Sequence, residues 1–121
     1  LKKLDLFEPY FRRNFIHIHD VARAFHFSII NFHKMKGQVY NLGLSNANLS
    51  KLMLAQKIKK QLKYLKIKII KNRKDPDKRD YFVSNKKIEK KGFKPIINLN
   101  QGISELILYF ENNKDIIKNN Y

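Results

Sequence analysis

The sequence predicts an α/β fold. Short β-like runs (FIHIH at 15–19, QVYNLG at 38–43, KIKIIK at 66–71) alternate with stretches of helical spacing. The helical stretches open on polar capping residues, and glycine closes two of them. With 121 residues, no internal repeat and no low-complexity linker, one domain with one modest core is the expectation.

The elements follow in order. Phe15, His17 and His19 alternate with Ile16 and Ile18, which reads as a strand, and Asp20 then stands where a helix N-cap belongs. The helix it opens, VARAFHFSIINFHK, is apolar on most sides (Val21, Ala24, Phe25, Phe27, Ile29, Ile30, Phe32), so it is expected between two layers, with Gly37 as its stop. QVYNLG reads as a buried parallel strand ending at Gly43. SNAN supplies a cap, taken as Asn48, for LSKLMLAQKIKKQLKYL. There Leu52, Ala55, Ile58, Leu62 and Leu65 recur at helical spacing opposite lysines. KIKIIK alternates as a half-exposed strand, and NRKDPDKRD is a loop. YFV is a short strand, and SNKKIEKKG a short helix capped by Ser84 or Asn85 and ended by Gly92. FKPIINL is extended. Asn98 with Gln101 forms a capping-box pair opening a last helix with an apolar face of Leu106, Ile107 and Phe110, and the tail NNKDIIKNNY frays.

Composition narrows the function. Apolar content of 43% suits a globular chain, and no apolar run approaches the roughly 20 residues that span a bilayer. The start lacks the layout of a signal peptide, and without cysteine there is neither a disulfide framework nor a thiolate metal site. A cytoplasmic location is the expectation. The net charge of +16 points to polyanionic partners, but only five of the 26 basic residues are arginine (Arg12, Arg13, Arg23, Arg73, Arg79). Readers of phosphate and base edges favour the planar fork of arginine. Lysine scattered with frequent Asn and Ile reads instead as compositional drift. Leu1 is not an initiator methionine, and the opening LKKLDLFEPYF has no obvious cap or turn, so a processed, cut or incomplete chain is expected.

Five pieces occur together in order: RRNFIHIHDVARAF at 12–25, GQVYNLG at 37–43, a capped helix, RKDPDKRDYFVSNKKIEKKGFKP at 73–95 and LNQGISELI at 99–107. This arrangement resembles the C-terminal portion of extended short-chain dehydrogenases/reductases, the nucleotide-sugar epimerases and dehydratases, over about residues 12 to 110. Their pattern runs approximately R-D-F-I-H-V-x-D-V-A-x-A, V-Y-N-x-G, R-P-G-D, a Tyr, an aspartate-and-lysine helix start, L-G-[WF]-x-P and a final helix opening near a Gly. The resemblance implies that residues 1–121 are a single C-terminal, nucleotide-sugar-binding portion. It would combine a strand and helix returning to a Rossmann sheet with a small substrate-binding subdomain. The N-terminal Rossmann domain that binds NAD(P) would be missing, as would any homodimer contact formed through it. The isolated chain would then be inactive.

The resemblance also implies site residues. Arg13 matches the family arginine that contacts the diphosphate of the sugar nucleotide, a fitting role for paired donors that keep their charge. Asn14 replaces the usual Asp, and Arg12 has no counterpart. In R-P-G-D the arginine meets phosphate and the aspartate meets ribose hydroxyls. Counting back from Tyr81, Asp77 falls on that aspartate. The arginine slot holds Lys74, with Arg73 one residue earlier, and Arg79 lies where some relatives carry Arg before the Tyr. These cations are expected to converge with Arg13 on one pyrophosphate. No catalytic residue is expected here. Tyr64 and Lys68 spell Y-x-x-x-K, but they run off a helix into a strand and would not share a face. The glycines (Gly37, Gly43, Gly92, Gly102) are single, and none opens a dinucleotide turn.

Other readings weigh less. His17 and His19 at i, i+2 would suit a metal, but no third ligand lies nearby. A basic nucleic-acid module rests on the charge and the lysine-rich helix, against the absence of a KH-type G-x-x-G clamp, an aromatic ribonucleoprotein motif or zinc spacing. An inactive remnant of the same family is the third reading.

Overall fold

The computed structural model describes residues 3–74, 76–77 and 79–113. It is α/β, with two small two-stranded sheets. Strand β1 (Lys3–Leu6) pairs in parallel with β4 (Lys66–Ile69), Leu4 beside Ile67 and Leu6 beside Ile69. Strand β2 (Arg12–Asn14) pairs antiparallel with β3 (Asn48–Ser50), Arg13 beside Leu49. Between them come α1 (Ile18–Ile30), α2 (Phe32–Met35) and α3 (Lys51–Gln61); α4 (Lys86–Glu89) and α5 (Leu99–Asn112) follow. The crossover from β1 to β4 therefore carries β2, α1, α2, β3 and α3, as parallel pairing requires a long connection. The first four residues of KIKIIK form the expected strand, and its partner β1 lies in the opening LKKLDLFEPYF, to which the sequence reading assigned no element.

The first strand and helix are shifted from the sequence expectation. Pairing ends at Asn14, although Phe15 still exchanges backbone bonds with Ala47 and Leu44 at 3.1 Å each. His17, not Asp20, is the N-cap of α1, its Nδ1 accepting from the backbone N–H of His19 at 3.1 Å. Asp20 lies in the first turn of the helix with 0% exposure. It still answers backbone donors, but of a distant segment: Ile96 N–H at 3.1 Å and Ile97 N–H at 2.9 Å, with Arg23 at 2.6 Å. A single carboxylate thus pins the approach to α5 against α1.

The apolar core joins Ala24, Met35, Ile88 and Phe93, with Phe27, Tyr40 and Leu42 packed on it. Gly92 adopts φ +102°, a conformation glycine takes without a Cβ penalty, and so turns Phe93 back towards Phe27, ring centroids 5.6 Å apart. The expected sandwiching of α1 is not met among the described residues. Its Asp20–Ala24–Phe27 side packs, while Ile18, Phe25, Ile29 (72% exposed) and Ile30 face outward because no second layer covers them.

Three further expectations are corrected. Residues 38–43 form no strand: Val39 is 84% exposed, and its carbonyl is taken by the Lys87 ammonium at 2.8 Å instead of a ladder. A strand needs a neighbour, and the described residues place none there. Asn48 is not the cap of α3; Ser50 is, its Oγ accepting from Met53 N–H at 3.2 Å. Asn48 instead grips Val83, accepting its N–H at 2.9 Å and donating to its carbonyl at 3.0 Å. That amide imitates a strand neighbour, so Val83 is held beside β3 while the expected strand at 81–83 does not form.

The short helix at 86–89 starts after Asn85, as one of the two caps read from sequence, although the Asn85 side chain makes no capping bond. The capping box of α5 is present, with Gln101 N–H to Asn98 at 3.0 Å and Asn98 N–H to Gln101 at 2.9 Å. Leu106 and Phe110 are exposed, and of the tail read as frayed, residues 114–121 lie outside the described residues.

A polar knot fixes where β2 ends. Asn14 donates to the Leu44 carbonyl at 2.8 Å and accepts from the buried Asn85 amide at 3.1 Å. Gly43 makes this approach possible, since a Cβ there would fall 1.4 Å from Asn14 Oδ1. Gly43→Ala is expected to destabilise the chain by about 2 kcal/mol, the usual scale of overpacking. Combining it with Asn14→Ala removes the clash, so chemical denaturation should show the double variant less destabilised than the two single costs together.

Asp20 sets a pH dependence. Burial pushes its pKa up, but the Ile97 and Ile96 N–H groups and Arg23 outweigh burial, so the net shift is downward. A carboxyl lowered in the folded state contributes stability that is complete above its unfolded pKa of about 3.9 and fades as pH falls through the folded value. Asp20→Asn should therefore cost about 2 kcal/mol near neutrality. Thermal melts of the two proteins should converge as pH drops below about 4.

Candidate functional site

Strand β2 delivers two adjacent arginines, and because strand side chains alternate in direction they engage different residues of the loop that carries Asp77, Arg79 and Asp80. Arg12 takes Asp80 bidentately, Nε to Oδ1 at 3.0 Å and Nη2 to Oδ2 at 3.1 Å, and its backbone N–H adds a 2.7 Å bond to the same carboxylate. These bonds hold the Asp80 pKa below the carboxylate range, the Arg12 side-chain hydrogen bond contributing most.

Arg13, with a side chain only 19% exposed, reaches under the turn. Its Nη2 meets Asp77 Oδ2 at 3.0 Å and the Asp77 carbonyl at 3.3 Å. Its Nη1 donates to the carbonyls of Arg12 and Arg79. The guanidinium carbon stands 5.1 Å from the Tyr81 ring centroid, a cation–π contact. Arg79 clasps the same Asp77 carboxylate from the solvent side, Nε to Oδ1 at 2.7 Å and Nη2 to Oδ2 at 2.9 Å. The Asp77 pKa is lowered strongly, first by the Arg79 side chain, against desolvation, then by the Arg79 backbone N–H and by Arg13.

Of the five residues assigned from sequence, the structure brings together Arg13, Asp77 and Arg79. Arg73 goes elsewhere: its guanidinium lies over the Phe7 ring at 4.9 Å, with the Lys51 ammonium also 4.9 Å from that ring. Lys74 is exposed, and its neighbour Asp75, like Lys78, lies outside the described residues. The residue that sequence reasoning left without a role is Arg12. Its signal was present in the spacing, since Asp80 follows Asp77 by three residues and two arginines need two acids. Nothing local in the sequence says which pairs with which.

His17 and His19 lie at the start of α1 and not on a strand. His17 Nε2 is 3.0 Å from Glu105, and its other nitrogen is engaged as the cap. Among the described residues no group of three or more His, Cys, Asp or Glu is placed to hold a metal ion. Tyr64 stands in the turn after α3 and Lys68 on β4, so the Y-x-x-x-K spelling falls on two different elements.

No family model matches the sequence. Solved structures do match the fold. A GDP-D-glycero-L-gluco-heptose synthase from Campylobacter jejuni, in the presence of NADPH, aligns with TM-score 0.73 at 20% identity over 90% of this chain and 33% of its own. A GDP-mannoheptose C4 reductase from Campylobacter jejuni with NADP bound aligns with TM-score 0.70 at 21% identity over 90% and 35%. A GDP-6-OMe-4-keto-L-xylo-heptose reductase from C. jejuni gives TM-score 0.68 at 20% identity over 92% and 34%. The chain spans about a third of the length of these proteins, and its fold is that of the part of each that it matches.

Proposed function

We infer that residues 1–121 are the sugar-nucleotide-binding portion of an NAD(P)-dependent enzyme that moves a hydride to or from a nucleoside-diphosphate sugar. The observation that carries this reading is the meeting of Arg13 with Asp77 and Arg79 across more than sixty residues of sequence, within a fold shared with enzymes named for GDP-heptoses. In this reading Arg13 and Arg79 present forked N–H donors to the diphosphate, and Asp77 takes ribose hydroxyls. The sequence motifs alone suggest epimerisation or dehydration. Two of the structural neighbours named above are reductases, which favours reduction of a keto sugar.

NAD(P), when bound, supplies or accepts the hydride. The residues of this chain do not fit as its holder, because every glycine already has another task. Gly37 and Gly92 take positive φ in turns that follow helices, Gly43 admits Asn14, and Gly102 lies inside α5 against His17. None opens a helix beneath a pyrophosphate. The cofactor and the catalytic tyrosine–lysine pair are assigned to a Rossmann half outside these residues. The outward face of α1 (Ile18, Phe25, Ile29, Ile30) supports such a partner, since an exposed apolar stripe of this kind marks an interaction surface.

Titration calorimetry with GDP-mannose is the direct test. The chain should bind it, and Arg13→Ala should weaken binding about ten-fold or more by removing a bidentate charged contact. Arg13→Lys should recover only part of the loss, because a point charge lacks the fork. Variants of Arg13 and Arg79 that keep their fold by circular dichroism and bind as well as wild type would remove the site. Adding NAD or NADPH should give no turnover by this chain, and turnover would overturn the assignment of the cofactor to another half.

A further inference from the structure

The guanidiniums of Arg13 and Arg79 both close on one carboxylate, that of Asp77, at 2.7 to 3.0 Å. Two planar forks around a single anion is the arrangement proteins use for phosphate oxygens. Here the anion belongs to the chain itself. Four donor contacts of Arg13 are already taken, by Asp77 Oδ2 and the carbonyls of Asp77, Arg12 and Arg79. A ligand phosphate that uses these arginines must therefore compete with Asp77.

We propose that Asp77 is an internal occupant of the diphosphate site, holding Arg13 and Arg79 together until a diphosphate displaces its carboxylate. This rests on the reading of Arg13 and Arg79 as phosphate ligands. Without a bridging anion, two guanidiniums at this separation repel each other, so an internal carboxylate keeps the pair assembled. Asp77 is suited to leaving. Its carboxylate is 38% exposed, and Arg79, 77% exposed and two residues away, holds it by a local contact. A diphosphate carries more charge and more acceptor oxygens than one carboxylate, so it can replace the bonds that Asp77 releases. A monovalent anion offers no such surplus. The internal occupant thus makes the site selective for polyanions, and it frees the displaced carboxylate for the hydroxyls of a ribose.

The test uses sodium pyrophosphate, which has no ribose, titrated calorimetrically into the full chain at fixed ionic strength. Asp77→Asn replaces a charged competitor with a neutral one of the same shape, and should tighten pyrophosphate binding about ten-fold. Glu111→Gln, an equal change of charge at an exposed position near the end of α5, should leave the affinity within about two-fold, the level expected of a screened surface charge. In the Arg13→Ala background the gain from Asp77→Asn should shrink to the level of that control. The proposal is overturned if Asp77→Asn binds pyrophosphate no more tightly than wild type while Arg13→Ala still weakens it, an outcome that leaves the phosphate role of Arg13 standing. A gain undiminished by Arg13→Ala also overturns it, because the effect is then only net charge. Indifference of pyrophosphate binding to Arg13 and Arg79 defeats the underlying site and this proposal together.

Discussion

Two neighbouring arginines on one short strand, each locked to a different aspartate of one turn, hold the middle of this chain to its beginning. The described residues of the 76–83 segment have no regular secondary structure, so their position relative to β2 depends on side chains. Arg12–Asp80 is an exposed pair and Arg13–Asp77 a partly exposed one, and solvent screening leaves such pairs little net effect on stability. Their value is positional. The fork-to-carboxylate geometry on Arg12, with a backbone N–H added, leaves the turn little freedom to slide along the strand. Everything inferred about a ligand follows from that register.

The same solution recurs through the molecule. The buried apolar cluster is small, centred on Ala24, Met35, Ile88 and Phe93, and the sheets have two strands each. Segments that a larger sheet would align are aligned by polar side chains instead. Asp20 receives the backbone of 96–97, Asn48 pairs with the backbone of Val83, and Asn14 and Asn85 knot the end of β2 to the start of α4. Each such bond forms where water is partly excluded, so breaking one partner leaves the other unsatisfied at a cost larger than the bond's net contribution. Asparagine, frequent here for compositional reasons, is well suited to the task because one amide supplies both a donor and an acceptor.

This explains what the sequence made legible and what it hid. Local rules worked where local physics decides: the capping box at Asn98–Gln101, the Gly92 turn, the first four residues of KIKIIK, and the helical spacing of LSKLMLAQKIKKQLKYL, although α3 stops at Gln61 and leaves Leu62 and Leu65 beyond it. They failed where a side chain's partner is distant. Asp20 has the right chemistry for a cap and stands within the first turn of α1, yet its partners are 76 and 77 residues away. Asn48 was misread for the same reason. QVYNLG has the composition of a buried strand but no strand beside it among the described residues. At the site, the motif order placed Arg13, Asp77 and Arg79 correctly in one region. That Asp77 joins the two arginines, and that Arg73 turns to Phe7, depends on tertiary geometry that spacing does not encode.

The charge of the chain separates into two populations, and the separation bears on the nucleic-acid reading. Four of the five arginines are engaged by carboxylates: Arg12 by Asp80, Arg13 and Arg79 by Asp77, and Arg23 by Asp20. The fifth, Arg73, stacks on an aromatic ring. The outward cations of α3, the turn after it and β4 are lysines, Lys59, Lys60, Lys63, Lys66 and Lys68. A surface built to read nucleic acid would turn its arginines outward to base edges and phosphates. Here the forked groups are each held by a carboxylate or an aromatic ring, and the compact, strongly hydrated charges are left facing water. A lysine face attracts any polyanion weakly and loses it as salt rises. The arginine–aspartate cluster presents donors at set distances and directions, which favours one shape of anion over another. The net charge of +16 is therefore a poor guide to the ligand, and the few arginines among 26 basic residues are the better one.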